Sequence, residues 1–238
     1  MFTRKISKQE KLMMVFVFIP FYFFCGSYIA SAFIKFVVLA LSLSIDKNTA
    51  VAYLNFILDS LFVIGILWIF KDNIKEQFKD FLKDKKENLL YGCLIGFGML
   101  FMANFVGGMI SLLFGAQSDS QNQLLIESLA SAHPIIIFMT SVIFAPFVEE
   151  YLFRGTFFGW LYELHPWVAH ILSGFLFGFL HVMDAIGAGN FNEWIQIFAY
   201  MFMGFVLSFL YEKRNNIFVP ILSHMTNNFV SMLFILFM

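Results

Sequence analysis

The sequence predicts an all-α fold: a polytopic membrane helix bundle of about seven transmembrane helices plus one amphipathic surface helix. Three observations predict it. Of 238 residues, 60% are hydrophobic, with 35 Phe, where a soluble domain is about 45–50% apolar. Mean hydropathy is +0.80. Apolar runs of the roughly 20 residues needed to cross ~30 Å of hydrocarbon recur along the chain. Finally, the basic residues sort to one side when these runs are threaded alternately through a bilayer.

The first span is expected at about 12–40, where Pro20 and Gly26 could bend it and Lys35 could snorkel. It follows a basic flank and far exceeds a signal-peptide core of about 7–15 residues, with no small-residue cleavage site. It therefore reads as a retained membrane helix. The second span covers about 50–70. Residues 71–88 are charged, with Ile74, Phe78, Phe81 and Leu82 at helical spacing, the pattern of an amphipathic helix lying on the membrane. The third span, about 89–114, carries Gly92, Gly96, Gly107 and Gly108, which permit close helix contact. A polar segment, 115–133, has no Lys or Arg. The last spans follow at about 134–161, 166–183, 193–211 and 217–238, with a Gly/Asn loop at 187–192. No linker or repeat divides residues 1–238, so one integral membrane domain is expected.

With the N-terminus inside, the cytoplasmic segments hold Arg4, Lys5, Lys8, Lys11, six lysines from Lys71 to Lys86, Lys213 and Arg214. The outside keeps only Lys47. This bias predicts seven spans with a cytoplasmic N-terminus and an outer C-terminus. Net charge is −1, which gives no argument for nucleic acid; the lipid bilayer is the expected partner. Cys25 and Cys93 fall in apolar runs and read as buried structural thiols, since neither has a nearby His in sequence.

Three charges interrupt the apolar run 134–160: Glu149, Glu150 and Arg154. Charges in hydrocarbon are costly and face a cavity or a partner. On a helix, Glu150 and Arg154 are four apart in the favourable order for an ion pair. Glu149 projects about 100° away, so one acid is neutralised and the other is left for chemistry. Two further clusters lie on later spans: His181 with Phe177 one turn earlier, and His224 with Asn228, each pair on one face. Singly, such residues serve as interhelical hydrogen bonds. Together they supply a carboxylate, two imidazoles and an amide, sufficient for water activation and oxyanion stabilisation. His133, His165 and His170 fall near membrane boundaries, where interfacial roles are the default. Asp59 and Asn104 are intramembrane, with nothing in the sequence aligning them to Glu149. Asp184 and Glu193 bracket an outer loop and are expected to be solvated.

Depth counting at about 1.5 Å per residue puts His224 about 10–12 Å from the cytoplasmic end and Glu149 at similar depth. His181 comes out about 20 Å in, so tilt must close a gap. The site is then expected in the cytoplasmic half. His-Glu-x-x-His and Gly-x-Ser-x-Gly are absent, Ser173-Gly174 lacks a plausible His partner, and no intramembrane aspartate pair suggests a dyad. A transporter would spread its polar residues along a path, whereas these cluster.

The order Glu149-Glu150-x-x-x-Arg154, Phe177-x-x-x-His181, His224-x-x-x-Asn228 resembles the CAAX protease and bacteriocin-processing family (Abi, or CPBP), intramembrane glutamic endopeptidases. The resemblance covers about residues 130–235, and every motif position fits. It implies Glu149 as the general base that activates water, Glu150 and Arg154 as a supporting pair, and His181 as a residue holding or polarising the water. It also implies His224 and Asn228 as the oxyanion pair. It implies a peptidase acting on peptides or membrane-associated proteins without a cofactor; zinc held by the two histidines and a glutamate is the alternative. Three Arg against 12 Lys, with abundant Phe, Ile and Asn, points to an AT-rich bacterial genome. The expected setting is then a bacterial plasma membrane, with bacteriocin self-immunity or peptide maturation as the role. The competing reading is a catalytically silent scaffold that binds a partner through the same cavity.

Overall fold

A computed structural model describes residues 7–116 and 119–237; Arg4, Lys5 and Met238 lie outside the described residues. The described residues form helices and no strands. Helix α1 is bent by 52° between Met14–Phe23 and Tyr28–Ala40, the bend falling across Gly26. It is followed by α2 (Lys47–Ile69), α3 (Lys71–Lys83) and α4 (Lys85–Leu113). Then come α5 (Gln121–Ala132), α6 (Pro134–Tyr162), α7 (Pro166–Gly187), α8 (Phe191–Arg214) and α9 (Phe218–Phe237). Six of these are long and apolar enough to cross a membrane, and the bent α1 makes up to seven. Prolines open α6 and α7, where a missing N–H costs nothing. Asn215, with φ of 50°, ends α8 in the left-handed conformation that asparagine tolerates.

Helix α6 is the most buried of the long helices, packed against α2, α7, α8 and α9. Its winding loosens to π-type turns at Met139–Phe144 and Tyr151–Phe158, on either side of the acidic motif, a distortion often found at functional sites. The outer surface carries a belt of exposed large apolar side chains, among them Tyr28, Phe36, Leu94 and Phe101, as lipid contact requires. Cys25 and Cys93 are exposed on this surface, contrary to the buried thiols expected. In a membrane protein an apolar run marks the lipid face as readily as the interior.

The surface helix α3 buries Gln77 and Phe81 and exposes Phe78 and Leu82. Gln77 clamps the start of α9: its carbonyl accepts from Asn216 Nδ2 and its Oε1 from Ile217 N, each at 2.7 Å. Within the polar segment the structure places a helix that hydropathy does not reveal. Ser120 caps α5, its Oγ accepting from Gln123 N at 3.1 Å. Gln121 N donates to Glu193 Oε1 at 2.8 Å, so Glu193 is buried rather than solvated as expected. At the other end of α5, Thr49 Oγ1 and His133 Nε2 are 2.8 Å apart. His170, near the start of α7, is also buried: its ring bridges Ser208 Oγ and Glu212 Oε2 at 2.7 Å each.

The close helix approaches rest on glycine, although not on every glycine expected. A Cβ on Gly92 would meet Leu222 at 2.9 Å, one on Gly96 would strike Ser223, and one on Gly107 would strike the backbone of Ala199. Gly108 has open space instead. Between α7 and α8, Gly174 and Gly204 face each other, with Gly204's missing Cβ 2.9 Å from Gly174 Cα.

This contrast makes a stability prediction. Gly107→Ala should destabilise the detergent-solubilised protein by about 1–3 kcal/mol, as overpacking does, and its neighbour Gly108→Ala should be near neutral. Thermal unfolding of the two variants side by side checks it.

Candidate active site

Helix α6 presents Glu149 and Glu150 to different surroundings, because successive residues point about 100° apart. Glu150 and Arg154 are fully buried and joined at 3.0 Å, Nη1 to Oε1. The remaining guanidinium contacts fix the neighbouring helices. Arg154 Nη2 donates to the Gly204 carbonyl of α8 at 2.8 Å, and the guanidinium lies over the Phe177 ring of α7, 4.7 Å from its centroid. His224 of α9 completes the group, donating Nδ1–H to Glu150 Oε1 at 3.1 Å. Sequence spacing does not foretell that contact, since it pairs His224 only with Asn228 on its own helix face.

Glu149 faces a cavity of about 1170 Å³ lined also by Phe177, His181, His224 and Asn228. Glu150 and Arg154 stand behind it. Glu149 is 8% exposed, and its Oε2 has no hydrogen-bond partner. His181 Nδ1 lies 2.9 Å from the Phe177 carbonyl; since a carbonyl only accepts, Nδ1 carries the proton and Nε2 is bare. That Nε2 sits 4.0 Å from Glu149 Oε2. Two acceptors at this separation suit one water donating a hydrogen to each. Asn228 Nδ2 donates to the Ser141 carbonyl at 2.9 Å and its Oδ1 accepts from Asn227 at 3.2 Å. Its amide plane is thereby fixed, with one N–H to spare.

The depth gap between Glu149 and His181 does not exist. From Tyr162 back to Glu149 is about 20 Å at 1.5 Å per residue, level with the ~22 Å from Pro166 to His181. The sequence count sets Glu149 too shallow. The cavity runs from mid-bundle to the end covered by α5, where Ser120, Gln123 and Glu127 line it, and so away from the lysine-rich α3.

Several contributors escape a reading of the sequence. The Tyr200 ring stacks on His181, with centroids 4.4 Å apart and 18° between planes. Its hydroxyl meets Ser120 Oγ at 2.6 Å, tying the imidazole to the cap of α5. Asp59 and Asn104 both line the cavity, and Asn104 Nδ2 reaches Asn227 Oδ1 at 3.5 Å. Spacing along one helix carries no signal for such contacts between helices. Among the described residues, no group of three or more His, Cys, Asp or Glu side chains is arranged to hold a metal ion.

Comparison with known proteins agrees with this geometry. The family model described as Type II CAAX prenyl endopeptidase Rce1-like matches residues 131–230, the stretch that carries every motif residue. The putative membrane peptidase YdiL of Bacillus subtilis (strain 168) is 30% identical over 171 residues, which cover 71% of this chain and 66% of that protein. The membrane-embedded CAAX protease MroQ of Staphylococcus aureus (strain USA300) is 27% identical over 196 residues, covering 77% of this chain and 74% of that one. The UPF0177 protein YvdC of Lactococcus lactis subsp. lactis (strain IL1403) is 26% identical over 135 residues, covering 57% and 49%. No solved structure matches the chain. With the family model laid over the four helices that carry the motif residues, the chain belongs to the Rce1-like family of CAAX prenyl endopeptidases, a family of membrane peptidases.

Proposed function

We propose that this protein is an intramembrane endopeptidase in which Glu149 activates the water that hydrolyses a peptide bond. The observation that carries the reading is the pair of bare acceptors, Glu149 Oε2 and His181 Nε2, 4.0 Å apart at a cavity wide enough for an extended peptide. A water held between them transfers a proton to Glu149 as its oxygen attacks the carbonyl carbon. The oxyanion that forms accepts from the free Nδ2–H of Asn228 and from His224 Nε2–H when that ring carries both protons. Collapse of the tetrahedral intermediate breaks the C–N bond, and Glu149 returns its proton to the leaving amine. Glu150 and Arg154 touch none of the reacting atoms; they orient His224 and the α6 backbone. No metal enters this sequence of steps.

The sorting of lysines supports a cytoplasmic N-terminus, which places α5 and the cavity mouth on the outer side. Peptides entering there or from the lipid are the substrates this arrangement suits. For a bacterial protein, bacteriocin self-immunity and maturation of a secreted peptide fit that side. The scaffold reading has no observation in its favour, since a buried unpartnered carboxylate is costly to retain without chemistry.

Purified wild type should cleave members of a broad peptide library in the presence of a strong chelator, and Glu149→Gln should lose at least about a hundredfold in rate. Loss of cleavage with chelator and recovery with zinc would turn His181 and His224 into ligands and overturn the mechanism. Asn228→Ala should lower kcat by about 10²–10³ with little change in KM, as removal of an oxyanion donor does; steady-state kinetics on the best library substrate reads this.

A further inference from the structure

We propose that Asp59, with Asn55 one turn before it on α2, forms a subsite that binds a basic side chain of the substrate. The cavity is lined by four carboxylates, Asp59, Asp119, Glu127 and Glu149, and by no Lys or Arg among the described residues. Three of the four are otherwise engaged. Glu127 accepts from Gln123 Nε2 at 2.9 Å, Asp119 has an interaction of its own, and Glu149 is the proposed base. Asp59 lies in the middle of Lys47–Ile69, a stretch long and apolar enough to cross the membrane. A carboxylate there is costly unless a counter-charge or a chain of donors meets it.

The structure supplies Asp59 with neither. Asp59 and Asn55 line the cavity from the same face of α2, and neither makes a hydrogen bond or ion pair with another described residue. Elsewhere on α2 such needs are met within the chain: Ser60 donates to the Phe56 carbonyl at 2.6 Å, and Asn48 reaches Ser128 at 3.1 Å. Across the cavity, Asn104 spends its Nδ2 on Asn227 and keeps its carbonyl oxygen as an acceptor. Asp59 supplies a charged acceptor and the Asn55 and Asn104 carbonyl oxygens supply neutral ones on the same cavity, and an ammonium or guanidinium brings the three to five N–H donors that such a set takes up. A second unpartnered group, Glu149 Oε2, is buried and faces the same cavity. The cavity is thus built for something the protein itself does not provide.

The inference rests on the peptidase reading and names its substrate class: peptides with a Lys or Arg near the cleaved bond. The test uses paired peptide libraries with lysine or norleucine fixed at one position, scanned along the peptide. Products are identified by mass spectrometry, and binding to Glu149→Gln is measured in parallel. Wild type should favour lysine over norleucine at one position by at least about tenfold, the scale of one charge pair in a desolvated site. Asp59→Asn should collapse that ratio toward one, and Asp59→Glu should keep it. Lack of a preference in wild type, or one that survives Asp59→Asn, overturns the proposal. If nothing is cleaved but Glu149→Gln prefers lysine peptides and Glu149→Gln/Asp59→Asn does not, the subsite stands and the peptidase reading falls.

Discussion

A guanidinium and a carboxylate, both fully buried, lie at the centre of this bundle, and the four late helices are arranged around them. Arg154 brings a charge and five N–H donors into an apolar interior, where its Nε is left without a partner among the described residues. Glu150 meets the charge. The Gly204 carbonyl meets one donor, and the Phe177 ring meets the face of the cation. Glu150 Oε1, already bound to Arg154, also accepts from His224. The pair on α6 therefore fixes α7 through a ring, α8 through a carbonyl and α9 through an imidazole. Removal of either member of the Glu150–Arg154 pair would leave the other's charge without compensation.

The consequence for chemistry lies in what the pair does not touch. Because Arg154 is spent on Glu150, Glu149 keeps a bare oxygen 4.0 Å from a bare ring nitrogen. The π-type turns at Tyr151–Phe158 extend this separation of roles, shifting Arg154 relative to Glu149 from where a regular helix would put it. Helix α5 then covers the end of the cavity away from α3, and its cap is hydrogen-bonded to the Tyr200 that stacks on His181. The face that carries His181 is thereby joined to the element that borders the cavity.

Much of this was legible in the sequence, for physical reasons that also explain what was not. Long apolar runs and their breaks are one-dimensional signals, so the spans and the amphipathic α3 could be read directly. The ion pair was visible because its partners sit four apart on one helix, and the site residues because charge and imidazole are conspicuous in apolar surroundings. Contacts between helices left no such trace: His224 on Glu150, Arg154 on the Gly204 carbonyl, Tyr200 on His181. Helix α5 was hidden by its polarity, which marked only a polar segment between spans. The exposure of Cys25 and Cys93 was misread because hydropathy cannot distinguish lipid from protein interior. The depth of Glu149 failed for a simpler reason, a count that set it too near one end of α6.

The most direct measurement is the thermal stability of Glu149→Gln beside Glu150→Gln, each in the same detergent. If Glu150 carries the bundle and Glu149 is held free for chemistry, Glu150→Gln loses about 3–5 kcal/mol, as breaking a buried pair does. Glu149→Gln, which only removes an uncompensated charge, is then neutral or stabilising. Equal losses in both variants, or a loss confined to Glu149→Gln, would contradict this division of roles.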